Sequence, residues 1–371
     1  MKIVFLNSHP IAYKSDMYRY LSKKMPIEVW YCSKYGLKSH FDKEFNTYRL
    51  VDGLINGFSH KFLFNLMPNS SAKEKFFDSI NPSILLELLK LNKGDLIICH
   101  GWSRLTMLIV LIFANNFGIR VGLRAETPIN HEYNYSGIKK IVRRFVLKNM
   151  FKRITYFLHI GTNNKEFYKS MGVTEDKFIF MPYSCKPKHI KFLKKEFNHK
   201  IFFCGKLIDK KRPLDLLEAF SKIKNKKAEL VFAGDGAQKK ELINKSRELK
   251  IDKRVKFLGL LTPDELELHY INSDFLVLPS GYGETWGLVI NEALEHSMPI
   301  IVSSRVGSSI DLCNQNGYIF KYGDIEDLVL KINNFYDLSV KDLNKLRKKS
   351  NEIKDVFSFK TIHDNLLNLV S

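Results

Sequence analysis

The chain has 371 residues, 45% of them hydrophobic and 26% charged, which makes it an ordinary globular protein long enough for about two or three domains with real cores. That balance excludes a disordered, collagen-like or coiled-coil chain. The net charge of +20 is uneven: residues 1–200 hold 33 basic and 15 acidic side chains, a net +18, whereas residues 201–371 hold 26 and 24, a net +2. A codon bias toward lysine would act on both halves alike, so an anionic partner is expected for the first.

Short apolar runs alternate with helical patterns along the sequence. Met1-Lys2 leads directly into the run 3–6, which is too short for the apolar core of a signal peptide, so none is expected. Strand candidates follow at 2–7, 27–32, 95–99, 119–123 and 155–160, then at 200–204, 229–233, 255–258, 274–278 and 299–303. They are apolar throughout instead of alternating, as parallel strands covered on both faces are. The longest apolar stretch, 105–114, falls short of the ~20 residues of a membrane span and reads as a buried helix. Helices are also expected at 213–223, 237–249 and 287–297, and Thr262 with Pro263 and Glu265 marks a capped helix start. Cys32, Cys99, Cys185, Cys204 and Cys313 lie far apart, which suggests neither a disulfide framework nor a thiolate metal site and fits a reducing compartment.

Two β/α arrays imply two doubly wound domains joined near 186–200, with ligands at the carboxyl ends of the strands and the cleft between the domains as the expected site. The strongest chemical signal is GYGETWGLVINEA at 281–293. A strand ends at Leu278, a glycine-bearing loop follows, and a helix starts near Gly287, where the backbone N–H groups of Trp286, Gly287 and Leu288 can hold a phosphate. Glu284 in the loop and Glu292 in the helix are separated by at most roughly 12 Å, about the length of a sugar-diphosphate-ribose ligand. Carboxylates in apolar surroundings need partners, and hydroxyls would serve; a capping Glu and a helix Glu paired with lysine is the competing reading. Directly after the run 200–204, Gly205, Lys206 and Lys211 put two cations on a strand-to-helix turn, where they could neutralise a diphosphate. Gly234 lies in a third strand-end turn, AGDG at 233–236, which by itself reads equally as a plain tight turn.

In this order and spacing the residues resemble glycosyltransferase family 4, retaining enzymes of the GT-B fold. The resemblance rests on GKLIDKK at 205–211, AGDG at 233–236, Phe257-Leu258-Gly259, the pair Glu284/Glu292 and Asn316-Gly317, and more loosely on His100, Arg124-Ala125-Glu126 and Gly161 in the first half. It implies an α/β, GT-B architecture of two Rossmann-like doubly wound domains: 1–185 on the acceptor side, 186–355 binding the nucleotide-sugar, and 356–371 as a helix crossing back to the N-terminal domain. It makes Lys206 and Lys211 the diphosphate clamp, gives Glu284 the hydroxyls of the donor sugar and Glu292 the ribose, and has His100 contact the donor sugar. Gly205, Gly234, Leu258, Thr285, Trp286, Gly287 and Leu288 complete the implied donor site, and Arg124, Glu126 and His9 the implied acceptor side. The segment Ser8-His9-Pro10-Ile11-Ala12 departs from the glycine turn of many relatives, and Ser297 stands where the family has a small glycine. Neither cofactor nor metal is expected: there is no Asp-x-Asp, and His189 and His199 are too far apart for a helical ligand pair. The resemblance implies front-face transfer with retention, the departing phosphate taking the acceptor proton.

Residues 133–165 contain no acid and eight bases, among them Lys139, Lys140, Arg143, Arg144, Lys148 and Lys152, with Ile138, Ile141, Val142, Phe145 and Val146 recurring at helical spacing. Taken alone this reads as a helix packed on the sheet with a solvated basic edge; with the +18 it reads as a basic amphipathic helix suited to an anionic membrane surface. A lipid-linked glycan or glycolipid acceptor, met at the inner face of the plasma membrane by a cytoplasmic, peripheral enzyme of surface polysaccharide assembly, would explain the charge. The rival readings are a basic protein that acts on or binds nucleic acid, which the lack of regular aromatic interleaving makes the weaker, and a non-catalytic partner subunit.

Overall fold

The computed structural model describes residues 1–37, 40–42, 47–49, 52–67, 76–129, 132, 135–188 and 196–369. Of the expected connecting segment 186–200, residues 189–195, His189 among them, lie outside the described residues. Two compact units result: Met1–His40 with Arg49–Lys186 and Ser358–Ser371, and Phe41–Tyr48 with Pro187–Phe357.

Residues 1–186 form β1 (Ile3–Asn7), α1 (Ala12–Ser22), β2 (Ile27–Tyr31), the short strands β3 (His40–Asp42) and β4 (Thr47–Arg49), β5 (His60–Phe62), α2 (Ile84–Leu89), β6 (Leu96–Cys99), α3 (Leu105–Phe113), β7 (Arg120–Leu123), α4 (Gly137–Phe151), β8 (Tyr156–His159), α5 (Thr162–Ser170) and β9 (Phe178–Phe180). Among the described residues β3 and β4 pair with each other, and the stretch Phe41–Tyr48 that holds most of both belongs to unit 2. The remaining strands form a parallel sheet in the order β5-β2-β1-β6-β7-β8-β9. β1, β2 and β6 are buried almost throughout, which is why their sequences are runs of Ile, Val, Leu and Phe. One sheet face is covered by α2 to α5 through a core that includes Val110, Leu147 and Phe167. The other is covered by α1 and by the helix at Phe359–Leu367, whose Phe359, Ile362 and Leu366 pack with Met17, Tyr18 and Leu21. β5 and β9 were not foreseen: each is a three-residue edge strand, too short for a periodic signal.

The stretch 105–114 is the largely covered α3, whose Met107, Val110 and Leu111 are buried. α4 departs from the packed-helix reading. Only Leu147, Met150 and Phe151 are buried, while the stripe of Ile138, Ile141, Val142, Phe145 and Val146 faces solvent. Among the described residues no helix is long and apolar enough to cross a membrane.

Unit 2 contains β10 (Lys200–Cys204), α6 (Pro213–Lys222), β11 (Glu229–Ala233), α7 (Lys239–Glu248), β12 (Val255–Gly259), α8 (Pro263–Asn272), β13 (Phe275–Leu278), α9 (Leu288–Glu295), β14 (Ile300–Ser303), α10 (Ser309–Leu312), β15 (Gly317–Phe320), α11 (Ile325–Tyr336) and α12 (Val340–Val356). Its sheet is again parallel, ordered β12-β11-β10-β13-β14-β15. Thr262 caps α8 in the reciprocal arrangement with Glu265 that the sequence indicates. Apart from Phe41–Tyr48, unit 2 runs from Pro187 to Phe357, and α13 (Phe359–Leu367) belongs to unit 1.

Strand order reverses between β1 and β6 in the first sheet and between β10 and β13 in the second. Ligands of doubly wound sheets bind at the carboxyl ends of such neighbours. The residues there are Asn7 and His100 in unit 1, and Gly205 and Ser280 in unit 2.

Candidate active site

In unit 2 the two loops at the reversal point are stitched together. The Gly281 amide donates to the Lys210 carbonyl at 2.9 Å, and the Lys211 ammonium forms an ion pair with Glu284. Glu284 is buried and Lys211 largely so, which places the carboxylate and the cation in a drier medium where their attraction is stronger than at the surface. Arg212, the residue before α6, adopts left-handed geometry (φ 49°) and is held by Asp215 at 2.5 Å, which fixes how the lysine turn enters the helix.

The AGDG turn shapes this loop from below. A Cβ on Gly234 (φ 139°) would sit 1.9 Å from the Gly205 carbonyl oxygen, so only glycine lets the two turns approach. The Gly205 amide donates to Ala233 (2.9 Å) and the Leu207 amide to Asp235 (2.9 Å), tying Lys206 into the same layer. Leu258 lies beside it as an extra residue in β12: Phe257 pairs with Phe232 and Gly259 with Ala233, and the register shift leaves Leu258 without a partner position. Bulges of this kind re-aim side chains beside binding sites.

Gly287 precedes α9 (φ 90°). The Trp286 side chain turns inward, its Nε1–H donating to Asn291 Oδ1 at 2.8 Å, so the backbone of Thr285, Trp286 and Leu288 is what this turn can offer a ligand. Two residues that the sequence reading missed hold the turn from the β14–α10 connection. The Gly307 amide donates to Glu284 (3.0 Å) at a point where a Cβ would lie 1.9 Å from the Thr285 carbonyl, and Ser308 Oγ donates to the Trp286 carbonyl at 2.5 Å.

One helical turn further, Glu292 accepts a 2.7 Å hydrogen bond from the Tyr270 hydroxyl. Burial pushes the Glu292 carboxyl above the usual carboxylate range, against the opposing pull of that bond and of the Lys211 charge. The Tyr270 ring stacks on His296 at 4.8 Å, and His296 Nδ1 is 2.8 Å from the Glu292 carbonyl, so ring, base and acid form one unit. Tyr270 was the other functional residue missed; its 22-residue separation from Glu292 leaves no local signal.

In unit 1, His100 follows β6. Tyr18 donates its only proton to Asn7 Oδ1 at 3.1 Å, so its oxygen accepts from His100 Nε2 at 3.2 Å. The ring is therefore protonated at Nε2, and the unprotonated Nδ1 is buried without a hydrogen bond among the described residues. Burial, with the charges of Lys14 and Arg124 adding to it, lowers the His100 pKa well below the ordinary range and keeps the ring neutral. Arg124 is buried with its guanidinium 4.6 Å from the Tyr183 ring centre, and Glu126 accepts from Tyr13 at 3.3 Å; Tyr13 and Tyr183 also touch, at 3.4 Å. A small cavity lined by Tyr13, Lys14, Arg124 and Tyr183 adjoins them. Arg124 and Glu126 are thus brought together, whereas His9 packs edge-on against Tyr35 and lies near Ser8 Oγ (3.0 Å).

Residues 186–353 match the family of glycosyl transferases group 1. Solved structures share the GT-B fold across the whole chain. The lipopolysaccharide outer core galactosyltransferase WaaB aligns over 100% of this chain and 99% of its own at 17% identity and TM-score 0.69, and Anabaena HepE in complex with UDP over 100% and 99% at 15% and 0.73. The chain therefore has the GT-B fold, and its residues 186–353 are similar to the glycosyl transferases group 1 family. Among curated relatives, the alpha-monoglucosyldiacylglycerol synthase of Streptococcus pneumoniae is 37% identical over 75 residues, which is 20% of this chain and 17% of that enzyme. The glycogen synthase of Mycobacterium tuberculosis is 26% identical over 165 residues, 44% of this chain and 40% of the relative. The matched stretches span less than half the length of these curated relatives.

Proposed function

We propose that the chain is a retaining, metal-independent glycosyltransferase that moves a sugar from a nucleotide-sugar to a lipid-linked glycan or glycolipid in surface polysaccharide assembly, working peripherally at the cytoplasmic face of the membrane. The observation that carries the reading is the Lys211–Glu284 ion pair, set between the lysine turn and the start of α9 at the reversal point of the second sheet. A donor diphosphate entering there takes over Lys211 and Lys206, and the backbone at α9 adds hydrogen bonds to the same oxygens. Glu284, released from Lys211, accepts from sugar hydroxyls, and Glu292 accepts from the ribose.

In the transfer, the bond between the anomeric carbon and the phosphate oxygen breaks as the acceptor oxygen bonds to the same face, and the departing phosphate takes the acceptor proton. The lysines neutralise the charge that grows on the leaving diphosphate. Because HepE is seen with UDP, a UDP-sugar is the first donor to try, and the diacylglycerol-linked product in the pneumococcal relative's name favours a glycolipid acceptor.

Lys206→Ala and Lys211→Ala test the reading. Each should cost about 10²–10³ in kcat, the usual effect of removing one preorganised charge from a transition state. Near-normal turnover in both would overturn it. A thermal-shift screen of UDP, GDP, ADP and CMP with their sugars identifies the donor, and no shift with any of them would contradict a nucleotide-sugar enzyme.

A further inference from the structure

α4 is apolar on two opposite sides. At about 100° per residue, Ile138, Ile141, Val142, Phe145 and Val146 fall within one arc, and Leu147, Met150 and Phe151 within the opposite one. The second arc is buried against the sheet, while every member of the first is between 54% (Val142) and 75% (Ile138) exposed. A contiguous apolar stripe turned to water on a folded unit marks an interaction surface.

The basic residues of the helix divide into two sets. Arg143 and Arg144 both pair with the buried Glu132, Arg144 at 3.2 Å, and the Arg143 guanidinium stacks 4.4 Å from the Tyr135 ring. These two clamp the helix to its own unit and fix which arc points outward. Lys139, Lys148 and Lys152 are exposed along the edges and C-terminal end of the apolar stripe, and residues 133–165 contain no acid that would offset them.

We propose that α4 is the membrane-docking element of unit 1: the stripe inserts into the headgroup–acyl boundary of an anionic bilayer, and Lys139, Lys148 and Lys152 lie at the level of the lipid phosphates. This rests on the reading that the acceptor is membrane-associated. Charge selects the occupant. A second copy of the chain would press one lysine-edged stripe onto another, and a nucleic acid would leave five apolar side chains in water; an anionic membrane satisfies both the stripe and its edges.

The full chain is mixed with vesicles of phosphatidylcholine alone and of phosphatidylcholine with phosphatidylglycerol, and sedimented without donor or acceptor. The wild type should partition onto the anionic vesicles, and the emission of F145W should shift to the blue. The I141S/F145S variant, altered only at exposed positions, should lose roughly ten- to a hundredfold in partitioning with an unchanged melting temperature. The K139E/K148E/K152E variant should lose the preference for anionic lipid. Wild-type partitioning by I141S/F145S overturns the proposal, as does a wild-type dimer in sedimentation velocity that I141S/F145S dissolves. Failure of the wild type to bind any vesicle, with sugar transfer to a soluble acceptor intact, removes the docking inference and leaves the enzyme. Insertion through α4 without a thermal shift from any nucleotide supports docking and refutes the sugar transferase.

Discussion

Replacing Tyr270 with phenylalanine removes one hydroxyl and keeps the ring that stacks on His296. What is lost is the 2.7 Å hydrogen bond to Glu292. A hydrogen bond to a charged group contributes about 1.5–3 kcal/mol. Because it favours the ionised carboxyl, its removal shifts the balance between carboxylate and carboxylic acid by a factor of roughly ten to a hundred toward the acid. Burial already holds this carboxyl above the usual range, so under the proposed ribose-binding role of Glu292 donor binding strengthens as pH rises through the Glu292 transition. In Y270F that rise moves to higher pH: donor affinity should fall by up to the same factor on the acid side and converge toward wild type on the alkaline side. The folding linkage has the same origin. With its native pKa raised, Glu292 favours the folded state most at low pH, and that contribution is lost as pH rises from the ordinary carboxylate value through the native one. The variant should lose more stability across this window than the wild type. Calorimetric titration of the nucleotide from pH 5 to 9, beside melting curves at each pH, reads both effects. Superimposable pH profiles for wild type and Y270F would refute the assignment of Tyr270 as the residue that positions and tunes Glu292.

Three further outcomes follow from backbone and packing. Gly234→Ala forces a methyl to within 1.9 Å of the Gly205 oxygen and should lower the stability of unit 2 by about 2–4 kcal/mol; an unchanged melting temperature would contradict the close approach of the two turns. Ser297 occupies left-handed geometry (φ 53°) in the C-terminal turn of α9, where the Met298 amide bonds back to Ala293 at 3.0 Å, so Ser297→Gly should stabilise by about 1 kcal/mol and raise the melting temperature by roughly 2–4 °C. Phe359→Ala opens a cavity under α13 beside Tyr20 and should cost unit 1 about 3–5 kcal/mol, seen as an earlier unfolding step in calorimetry.

The sequence discloses those features whose cause is local. Apolar runs such as KIFFC at 200–204 mark strands because both faces of a parallel sheet are covered, and the glycines at 205, 234 and 287 mark turns because the backbone geometry needs them. Lys211 and Glu284 can be picked out as candidates, but their pairing depends on β10 and β13 being neighbours, which nothing between residues 211 and 284 states. Trp286 reads as part of a donor loop, yet its indole is taken by Asn291. The stripe on α4 is visible from its period, while its outward aim is set by Glu132 gripping Arg143 and Arg144, a contact that periodicity does not contain.

The return of α13 to unit 1 also sets an order of events during synthesis. Residues Phe359, Ile362 and Leu366 complete a core whose other members, Met17, Tyr18 and Leu21 among them, leave the ribosome before the stretch Pro187–Phe357 of unit 2. At about 5–20 residues per second, that side of the first sheet waits on the order of ten to thirty seconds for its last helix. During that interval it shows an apolar surface to the cell. Nascent unit 1 thus stays incomplete until residues 359–366 are made, and a truncation before them that spares every residue of the candidate active site would leave this core open.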